Sequence, residues 1–200
     1  RRDYEQEKSN RLLEIYLNYT KDIKAIDTKV DVMAGYSYQQ FKDFTPSATT
    51  YFGNPDRVST PSNRYEGKLT LLGFYGRAIF TIADKYILTG SIRRDGTSRF
   101  YNGTDETRNI WGTFAAASGA WKIKNENFLK DVNVISDLKL RGGWGQTGQQ
   151  EIGGWYNSFP SYNISEQTAQ YGFAEQYYTM YRPTQYNPNL TWETTETINA

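Results

Sequence analysis

The 200-residue chain contains no His and no Cys, the side chains that proteins use most often for catalysis and metal binding. Without them neither a Ser-His-Asp nor a Cys-His arrangement can form, and the usual zinc sites, thiol sites and disulfides are excluded as well. Paired acids remain available for glycosidase chemistry, but Asp105 and Glu106 stand beside Arg108 in a pattern typical of a solvated loop. The sequence therefore predicts no enzyme activity, no metal and no cofactor.

Aromatic side chains are the second chemical feature, because Tyr, Phe and Trp make up 16% of the residues. Tyr and Trp offer a flat apolar face with a polar group at its edge, which suits stacking on sugars or packing against a protein partner. The alternative is that they pack a long loop against itself and form an aromatic girdle. The candidates for contact with a partner or a substrate lie in one stretch and are Trp155, Tyr156, Tyr162, Tyr171, Tyr177, Tyr178 and Tyr181.

Arginines supply a third feature, in the segment RRDGTSRF at residues 93–100. Arg94 and Arg99 are candidates for a partner or substrate contact. The structural alternative is a turn at Asp95-Gly96, where Gly accepts a positive φ and Asp bonds to local amides, combined with cross-strand pairing. Elsewhere the charges are scattered, and 23 basic against 22 acidic residues leave a net charge of +1, which argues against nucleic acid as a partner.

Alternation of apolar and polar residues predicts the elements that carry these side chains. In residues 68–82, for example, Leu72, Phe74 and Phe80 share one side and Arg77 lies on the other. The same pattern predicts seven strands, at residues 11–20, 28–41, 68–82, 86–93, 110–123, 138–144 and from about 190, where Leu190, Trp192 and Ile198 share a side.

The strand at 110–123 has small residues on both sides, so alternation does not decide which side is the apolar one. Trp111 and Trp121 share a side and stand ten residues apart. On a strand tilted as in a barrel, that spacing corresponds to roughly 25 Å along the membrane normal. The distance matches the separation of the two aromatic girdles of a membrane barrel.

The connections alternate between short and long. Residues 21–27 and 83–85 are short, 43–67, 96–109 and 146–188 are long, and the medium connection at 124–136 is expected to contain a helical turn. Outer-membrane barrels place short turns on the periplasmic side and long loops outside. No run of about 18 apolar residues is present, so no transmembrane helix is predicted. Seven strands with two open edges cannot close a barrel, and we therefore expect the chain to be part of a larger one.

Five segments form a recognisable series in order and spacing: VMAGYSYQ at 32–39, YGRAIFTIADKYILTGSIRRDGTSRF at 75–100, WGTFAAASGAWKI at 111–123, ISDLKLRGGWGQTGQQ at 135–150 and NPNLTWETTETIN at 187–199. Together they resemble the SusC/RagA-type TonB-linked outer-membrane proteins of Bacteroidetes, over most of the chain from about Arg11. One position departs from the pattern, because Ala115 stands where the family commonly has Pro. We expect this difference to alter one strand locally.

The resemblance implies an all-β fold in which residues 1–200 form about seven strands of an antiparallel transmembrane β-barrel of about 22 strands with a plugged lumen. It also implies a place in the bacterial outer membrane, in contact with lipid, and import of a nutrient, either a glycan or a peptide. The implied partners are a SusD-like lipoprotein at the outer mouth and TonB, which acts through an N-terminal plug domain. Neither the plug domain nor its TonB-contacting segment is in this sequence.

The rival interpretation is a soluble, Tyr-rich β-sandwich that binds carbohydrate, in which a second sheet buries the apolar sides of the strands. The two interpretations differ in the exposure of those sides, because a barrel requires a continuous exposed apolar band about 25 Å tall. The residues that decide between them are Val30, Val32, Leu72, Phe74, Phe80 and Leu88.

Overall fold

The computed structural model describes residues 6–46, 49–50, 58–59, 64–101, 110–129, 132–154, 156–165, 167–184, 187 and 189–200. Within these ranges seven strands form one antiparallel sheet, and each pairs with the next of the seven along the chain. They are β1 (Glu7–Ile23), β2 (Thr28–Pro46), β5 (Arg64–Ile82), β6 (Tyr86–Thr97), β7 (Trp111–Lys122), β8 (Lys139–Gln149) and β13 (Glu193–Asn199). The sheet is open, because β1 and β13 lie at its two edges.

Short strands and helical turns lie in the connections. Three two-stranded ladders pair β3 (Thr49–Thr50) with β4 (Val58–Ser59), β9 (Tyr162–Ile164) with β12 (Tyr181–Pro183), and β10 (Tyr171–Phe173) with β11 (Gln176–Tyr178). The described 3-10 helices are Lys24–Ile26, Ser98–Phe100, Ile123–Asn125 and Gln167–Ala169. No helix in the described part of the chain is long and apolar enough to cross a membrane.

The register of the ladders brings the alternating apolar residues onto one side of the sheet. Tyr36 pairs with both Ile15 and Phe74, and Phe80 pairs with both Val30 and Leu88. Directly paired residues of antiparallel strands share a face, so this side is continuous across the sheet. We call it the apolar face; its large members are Leu13, Ile15, Leu17, Val32, Tyr36, Phe74, Phe80, Leu88, Ile92, Trp111, Trp121, Leu140, Trp144 and Ile198.

The apolar face is not covered by other described parts of the chain. Phe74 is 51% exposed, Leu88 is 50% exposed and Val32 and Phe80 are each 39% exposed. Val30 and Leu72 are half-buried by their neighbours within the sheet. Among the described residues no second sheet packs on the first, which is the arrangement that a β-sandwich requires.

The register also decides the orientation of β7, which alternation left open. Trp111 and Trp121 lie on the apolar face, because Trp121 pairs with Tyr86 and Leu140. At one end of the face the Trp121 ring stacks on Tyr86, with a centroid separation of 6.3 Å. At the other end Phe74 lies between Trp111, at 6.2 Å, and Tyr36, at 5.1 Å. Aromatic clusters therefore mark both ends of the apolar face.

Three connections lie at the short-turn end. The one predicted at 21–27 is shorter than expected, because β1 runs on to Ile23, and the other two agree with the sequence. Residues 83–85 form the predicted tight turn, in which Ala83 and Asp84 have φ of 49° and 51° and the Lys85 amide donates to the Ile82 carbonyl at 2.9 Å. Two positive φ values in succession are the mark of a type I′ hairpin, whose twist matches that of the strands. The helical turn expected in 124–136 is present as the 3-10 helix Ile123–Asn125.

Three details at the opposite end differ from the sequence-based expectations. The predicted turn at Asp95-Gly96 was wrong, because β6 continues to Thr97 and the Asp95 carboxylate bonds to Arg93 instead of to local amides. The connections predicted at 43–67 and 96–109 are shorter than expected, because β2 runs on to Pro46, β5 begins at Arg64 and β6 runs on to Thr97. The longest connection keeps its length but is shifted to residues 150–192, because β8 ends at Gln149 and β13 begins at Glu193.

Trp192 was also placed wrongly with Leu190 and Ile198. It precedes β13, so strand alternation does not govern its direction, and its ring packs on Phe114, whose side chain points to the other face of the sheet.

Candidate functional site

The polar face of the sheet, opposite to the apolar face, carries a cluster built around Arg93. The Arg93 Nε donates to both carboxylate oxygens of Asp95, at 2.6 and 2.7 Å, and Nη2 lies 3.4 Å from the Ser37 hydroxyl. The guanidinium also lies over the Tyr75 ring, 5.6 Å from its centroid. Arg93 remains 50% exposed, so N–H groups are left to bind a polar ligand.

Two glycines allow this cluster to lie flat against the strands. A Cβ at Gly35 would stand 2.3 Å from the Cζ atom of Tyr75, and a Cβ at Gly73 would stand 2.6 Å from an Asp95 carboxylate oxygen. Any larger residue at either position would push the cluster away from the sheet. An open groove of about 350 Å³ adjoins the cluster and is lined in part by Glu14, Ser37, Gln39, Arg93, Asp95 and Trp192.

A second site lies where β6 and β8 end and β7 begins, at the side of the long connections. Its members are buried: Ser158 is 0% exposed, Arg99 and Phe100 are 1% exposed, Thr97 is 2% exposed and Phe114 is 8% exposed. Together with Trp192 we call them the rim core. It forms because residues 150–154 and 156–159 fold back against the ends of the strands.

Arg99 is the charged centre of the rim core. Its Nη1 donates to Glu151 Oε1 at 2.6 Å and to the Gly153 carbonyl at 3.0 Å, while Nη2 donates to Glu151 Oε2 at 3.2 Å. The Nε is buried without a hydrogen-bond partner. Ser158 also joins this connection to the segment after β6, because its Oγ lies 2.9 Å from the carbonyl oxygen of Arg99 and 2.6 Å from that of Tyr101.

The aromatic half of the rim core is an edge-to-face packing of three rings. The Trp192 ring meets Phe100 at 5.8 Å and Phe114 at 5.4 Å, and its Nε1 donates to the Ile110 carbonyl at 3.1 Å. Phe114 lies across Gly148, where a Cβ would stand 2.0 Å from its Cζ atom. This packing joins the end of the long connection, residues 150–192 in the structure, to β7 and β8.

The structure separates the candidate residues named from the sequence. Arg99 lies inside the rim core, and Tyr156 lies beside it, with its hydroxyl 3.0 Å from the Lys68 amide and its ring packed on Phe159 at 6.0 Å. Arg94 lies over the Trp111 ring at 5.3 Å, at the end of the apolar face. Trp155 is outside the described residues.

The remaining candidates project on an arm, which we define as residues 160–165 and 167–184. Two small ladders shape it, with Tyr162 opposite Pro183 and Tyr171 opposite Tyr178. Its aromatic side chains are exposed: Tyr162 63%, Tyr171 55%, Tyr177 78%, Tyr178 48% and Tyr181 65%.

Sequence reasoning missed Glu151, Ser158, Phe114 and Gly148. The first two belong to a connection whose fold the sequence does not reveal, and no spacing links Glu151 to an arginine 52 residues away. The described residues hold no group of three or more acidic side chains that could bind a metal ion. The Arg93 cluster and the exposed rings of the arm are suited to reversible binding of polar or aromatic groups.

A smaller charged cluster lies beyond the opposite end of the strands. The Glu126 carboxylate accepts from Lys85 Nζ at 2.8 Å, from the Tyr86 hydroxyl at 2.9 Å and from Trp121 Nε1 at 3.1 Å. These three donors, led by Lys85, lower the pKa of Glu126 below its ordinary value. The cluster ties the 124–136 connection to the tight turn beside it.

Comparison with known proteins supports the resemblance seen in the sequence. The family model described as TonB dependent receptor-like, beta-barrel, matches residues 1–200. The TonB-dependent receptor SusC of Bacteroides thetaiotaomicron is 41% identical over 203 residues, covering 99% of this chain and 20% of SusC. The TonB-dependent receptor P39 of Formosa agariphila is 34% identical over 198 residues, covering 93% of this chain and 18% of that protein. The chain thus spans about a fifth of the length of these relatives.

Two solved structures share the fold. The structure of the RagAB peptide transporter superposes with a TM-score of 0.77 at 21% identity, covering 98% of this chain and 21% of that chain. The RagAB peptide importer in its closed-closed state gives a TM-score of 0.78 at 20% identity, covering 98% of this chain and 22% of that chain. The prediction made from the five sequence segments is confirmed: the chain belongs to the TonB-dependent receptor-like β-barrel family and is of the SusC/RagA type.

Proposed function

We propose that these residues form part of the wall and outer mouth of an outer-membrane transporter that imports a nutrient, a glycan or a peptide, in a TonB-dependent manner. The observation that carries the proposal is the uncovered apolar face of a single antiparallel sheet. Strands whose backbone groups are paired within the sheet can present apolar side chains to hydrocarbon at no cost in hydrogen bonds. A sheet with the same face in water would be an aggregation site.

The dimensions of the apolar face support a membrane location. Trp111 and Trp121 mark its two ends in β7 and stand roughly 25 Å apart along the normal of a barrel with tilted strands. Aromatic rings with polar edges are favoured at the two membrane interfaces, where Trp121 and Tyr86 find the Glu126 carboxylate as a partner. In this orientation the short turns face the periplasm, and the rim core and the arm face the outside.

The polar face then lines the lumen, where it would meet the plug domain and the cargo. The Arg93 cluster and its groove offer guanidinium, carboxylate and amide groups that bind sugar hydroxyls or peptide groups by hydrogen bonds. Nothing in such a site requires a covalent step on the cargo, and the family is one of transporters. We therefore propose transport without enzymatic activity.

The proposed partners are a SusD-like lipoprotein at the outer mouth and TonB, the latter through a plug domain that these 200 residues do not contain. The exposed aromatic rings of the arm support a contact with the lipoprotein or with the cargo, because rigid amphipathic rings contribute a large contact area at a small entropic cost. Tyr162, Tyr177 and Tyr181 are the most exposed of these rings. Of the two arginines, Arg99 lies buried in the rim core at the base of the arm, and Arg94 lies over Trp111 at the end of the apolar face.

Uptake by living cells tests the proposal. The gene for the full-length protein is deleted and restored in the source bacterium, and uptake of a fluorescent neutral oligosaccharide and of a fluorescent oligopeptide is measured. We expect the restored gene to support uptake of one of the two probes, and a protonophore or the loss of TonB to abolish that uptake. Recovery of the full-length protein in the soluble fraction, or uptake of both probes regardless of the gene, would contradict the proposal.

A further inference from the structure

The arm is attached to the wall at two points, and both lie in the rim core. On the side that leads into the arm, Glu151 and Gly153 bind the Arg99 guanidinium, and Ser158 lies within hydrogen-bond distance of the carbonyl oxygens that flank Phe100. On the side that leads out of the arm, Trp192 packs on Phe100 and Phe114. The direction of the arm is therefore set by these two attachments.

The arm itself is held together along its stem. The Thr184 amide donates to the Ser161 carbonyl at 2.8 Å, and the Ser165 amide donates to the Met180 carbonyl at 2.8 Å. Between these bonds β9 pairs with β12, so the two strands of the stem move as one unit. A unit closed in this way changes position when its attachments change and keeps its internal structure.

Arg99 is built into the rim core at a cost that packing alone does not explain. A side chain that is 1% exposed leaves its Nε without a partner, and a buried unpaired N–H destabilises a protein. An apolar side chain of similar length, such as Met, would fill the same space without this penalty. What only the planar guanidinium supplies is a two-oxygen contact with the Glu151 carboxylate, which fixes direction as well as distance.

We propose that Arg99 is the positioning residue of the arm: through Glu151 and Gly153 it holds the aromatic rings of the arm in one place relative to the wall. The role goes beyond the proposed import function and rests on it only for the location of the arm outside the membrane. The arm would keep its fold without Arg99, but it would sample several directions. The wall would assemble as before, because the ladders do not include Arg99.

Spin-label distances in the full-length protein in lipid test this role. Labels are attached to Cys at Thr179 of the arm and at Ala117 of the apolar face, both exposed. These 200 residues contain no Cys, and any Cys elsewhere in the full-length protein is first replaced by Ser. We expect one narrow distance distribution with Arg99 and a broad one with Arg99→Met. Arg94→Met is the matched control, because Arg94 lies five residues earlier and contacts the Trp111 ring instead of the arm. We expect it to keep the narrow distribution.

Cleavage by chymotrypsin gives a second, independent measurement, because Tyr156 and Phe159 lie at the base of the arm, in the segment that Arg99 holds. We expect the arm of Arg99→Met to be cut off at this base about tenfold faster than the parental arm, since loss of the attachment raises the population of open states there. Arg99→Lys keeps the charge without the planar fork and is expected to lie between Arg and Met in both measurements. A Lys variant identical to the parent would overturn the role assigned to the guanidinium.

The proposal is overturned if Arg99→Met keeps both the narrow distribution and the parental cleavage rate. Should that variant fail to assemble, Glu151→Gln decides by the same two measurements, because the Glu151 side chain is 63% exposed and Gln keeps one oxygen acceptor for the buried guanidinium while it removes the two-oxygen contact. An unchanged arm in Glu151→Gln would likewise overturn it. Neither measurement involves transport, so failure of the uptake experiment and failure of this proposal are separate results.

Discussion

The apolar face and the rim core differ in which side chains they expose and which they bury. On the apolar face, Leu17 is 78% exposed and Ile92 is 57% exposed. In the rim core, Phe100 and the charged Arg99 are each 1% exposed. Apolar side chains on the outside and an arginine on the inside reverse the usual distribution in a water-soluble domain.

The difference indicates that one chain is adapted to two solvents. The wall strands satisfy their backbone groups through the ladders, so they need no second layer of protein where hydrocarbon covers them. The long connections stand in water under the proposed function, where only burial in protein and charge-assisted hydrogen bonds hold a loop in place. Substitutions that move a charge or a methyl group into one region and not the other test this division.

The largest effect is expected from a charge on the apolar face. Ile92 lies in β6 between the two aromatic clusters, and Ile92→Arg should destabilise the full-length protein in lipid vesicles by about 2–4 kcal/mol, the cost of a cation near the bilayer midplane. Thr89→Arg, on the polar face of the same strand, is the control and should change stability little. Denaturant unfolding in vesicles measures both.

The same experiment also tests how deep each position lies in the membrane. Leu88 lies closer to the Tyr86–Trp121 cluster than Ile92 does, so Leu88→Arg should cost less than Ile92→Arg because the charged group reaches the interface. Equal costs for Ile92→Arg and Thr89→Arg would mean that the two faces meet the same medium, and the membrane assignment of the apolar face would fail.

A methyl group added beneath the rim core should have a smaller effect on stability. Gly148→Ala forces Phe114 off its site, because the new Cβ would stand 2.0 Å from the ring, and overpacking of this kind costs about 1–3 kcal/mol. Gly90→Ala is the matched control on the apolar face, where no atom lies within 4 Å of the added Cβ. Unfolding of the two variants in vesicles, with chymotrypsin cleavage of the arm as a local readout, makes the comparison.

The result for Gly148→Ala bears on how the rim core is built. If the arm is cut faster in this variant while Gly90→Ala behaves as the parent, the Phe114–Trp192 packing supports the second attachment of the arm. Equal behaviour of the two alanine variants would show that Phe114 does not lie across Gly148.

The sequence predicted the wall well because a wall strand obeys one local rule. Each residue of a strand points to the face opposite its neighbour, so the positions of Leu72, Phe74 and Phe80 follow from counting alone. The alternation failed only where that rule does not apply or does not discriminate. Trp192 precedes its strand, and β7 has small side chains on both faces, so only its register with β6 and β8 orients Trp111 and Trp121.

The candidate site was much less predictable, because its contacts join residues that are distant in sequence. Arg99 was named from the sequence as a candidate contact, but its partner Glu151 lies in a connection that has no periodic pattern. Asp95-Gly96 has the composition of a turn and lies in a strand, since Asp95 bonds to Arg93 and the ladder with β7 continues past it. Local propensity was outweighed there by long-range pairing.

The smallest effect is expected at the short turns, where the Glu126 carboxylate binds Lys85, Tyr86 and Trp121. The lowered pKa of Glu126 means that its contacts stabilise the fold above the pKa of the unfolded chain, and this contribution is lost as the pH falls through the folded-state pKa. Glu126→Gln should therefore lower the thermal unfolding temperature near neutral pH by at most a few degrees. It should also flatten the loss of stability as the pH falls below about 5, where the unfolded chain takes up this proton and the folded chain does so only at lower pH. An unchanged pH profile would show that Lys85 and the two rings hold this turn without the carboxylate.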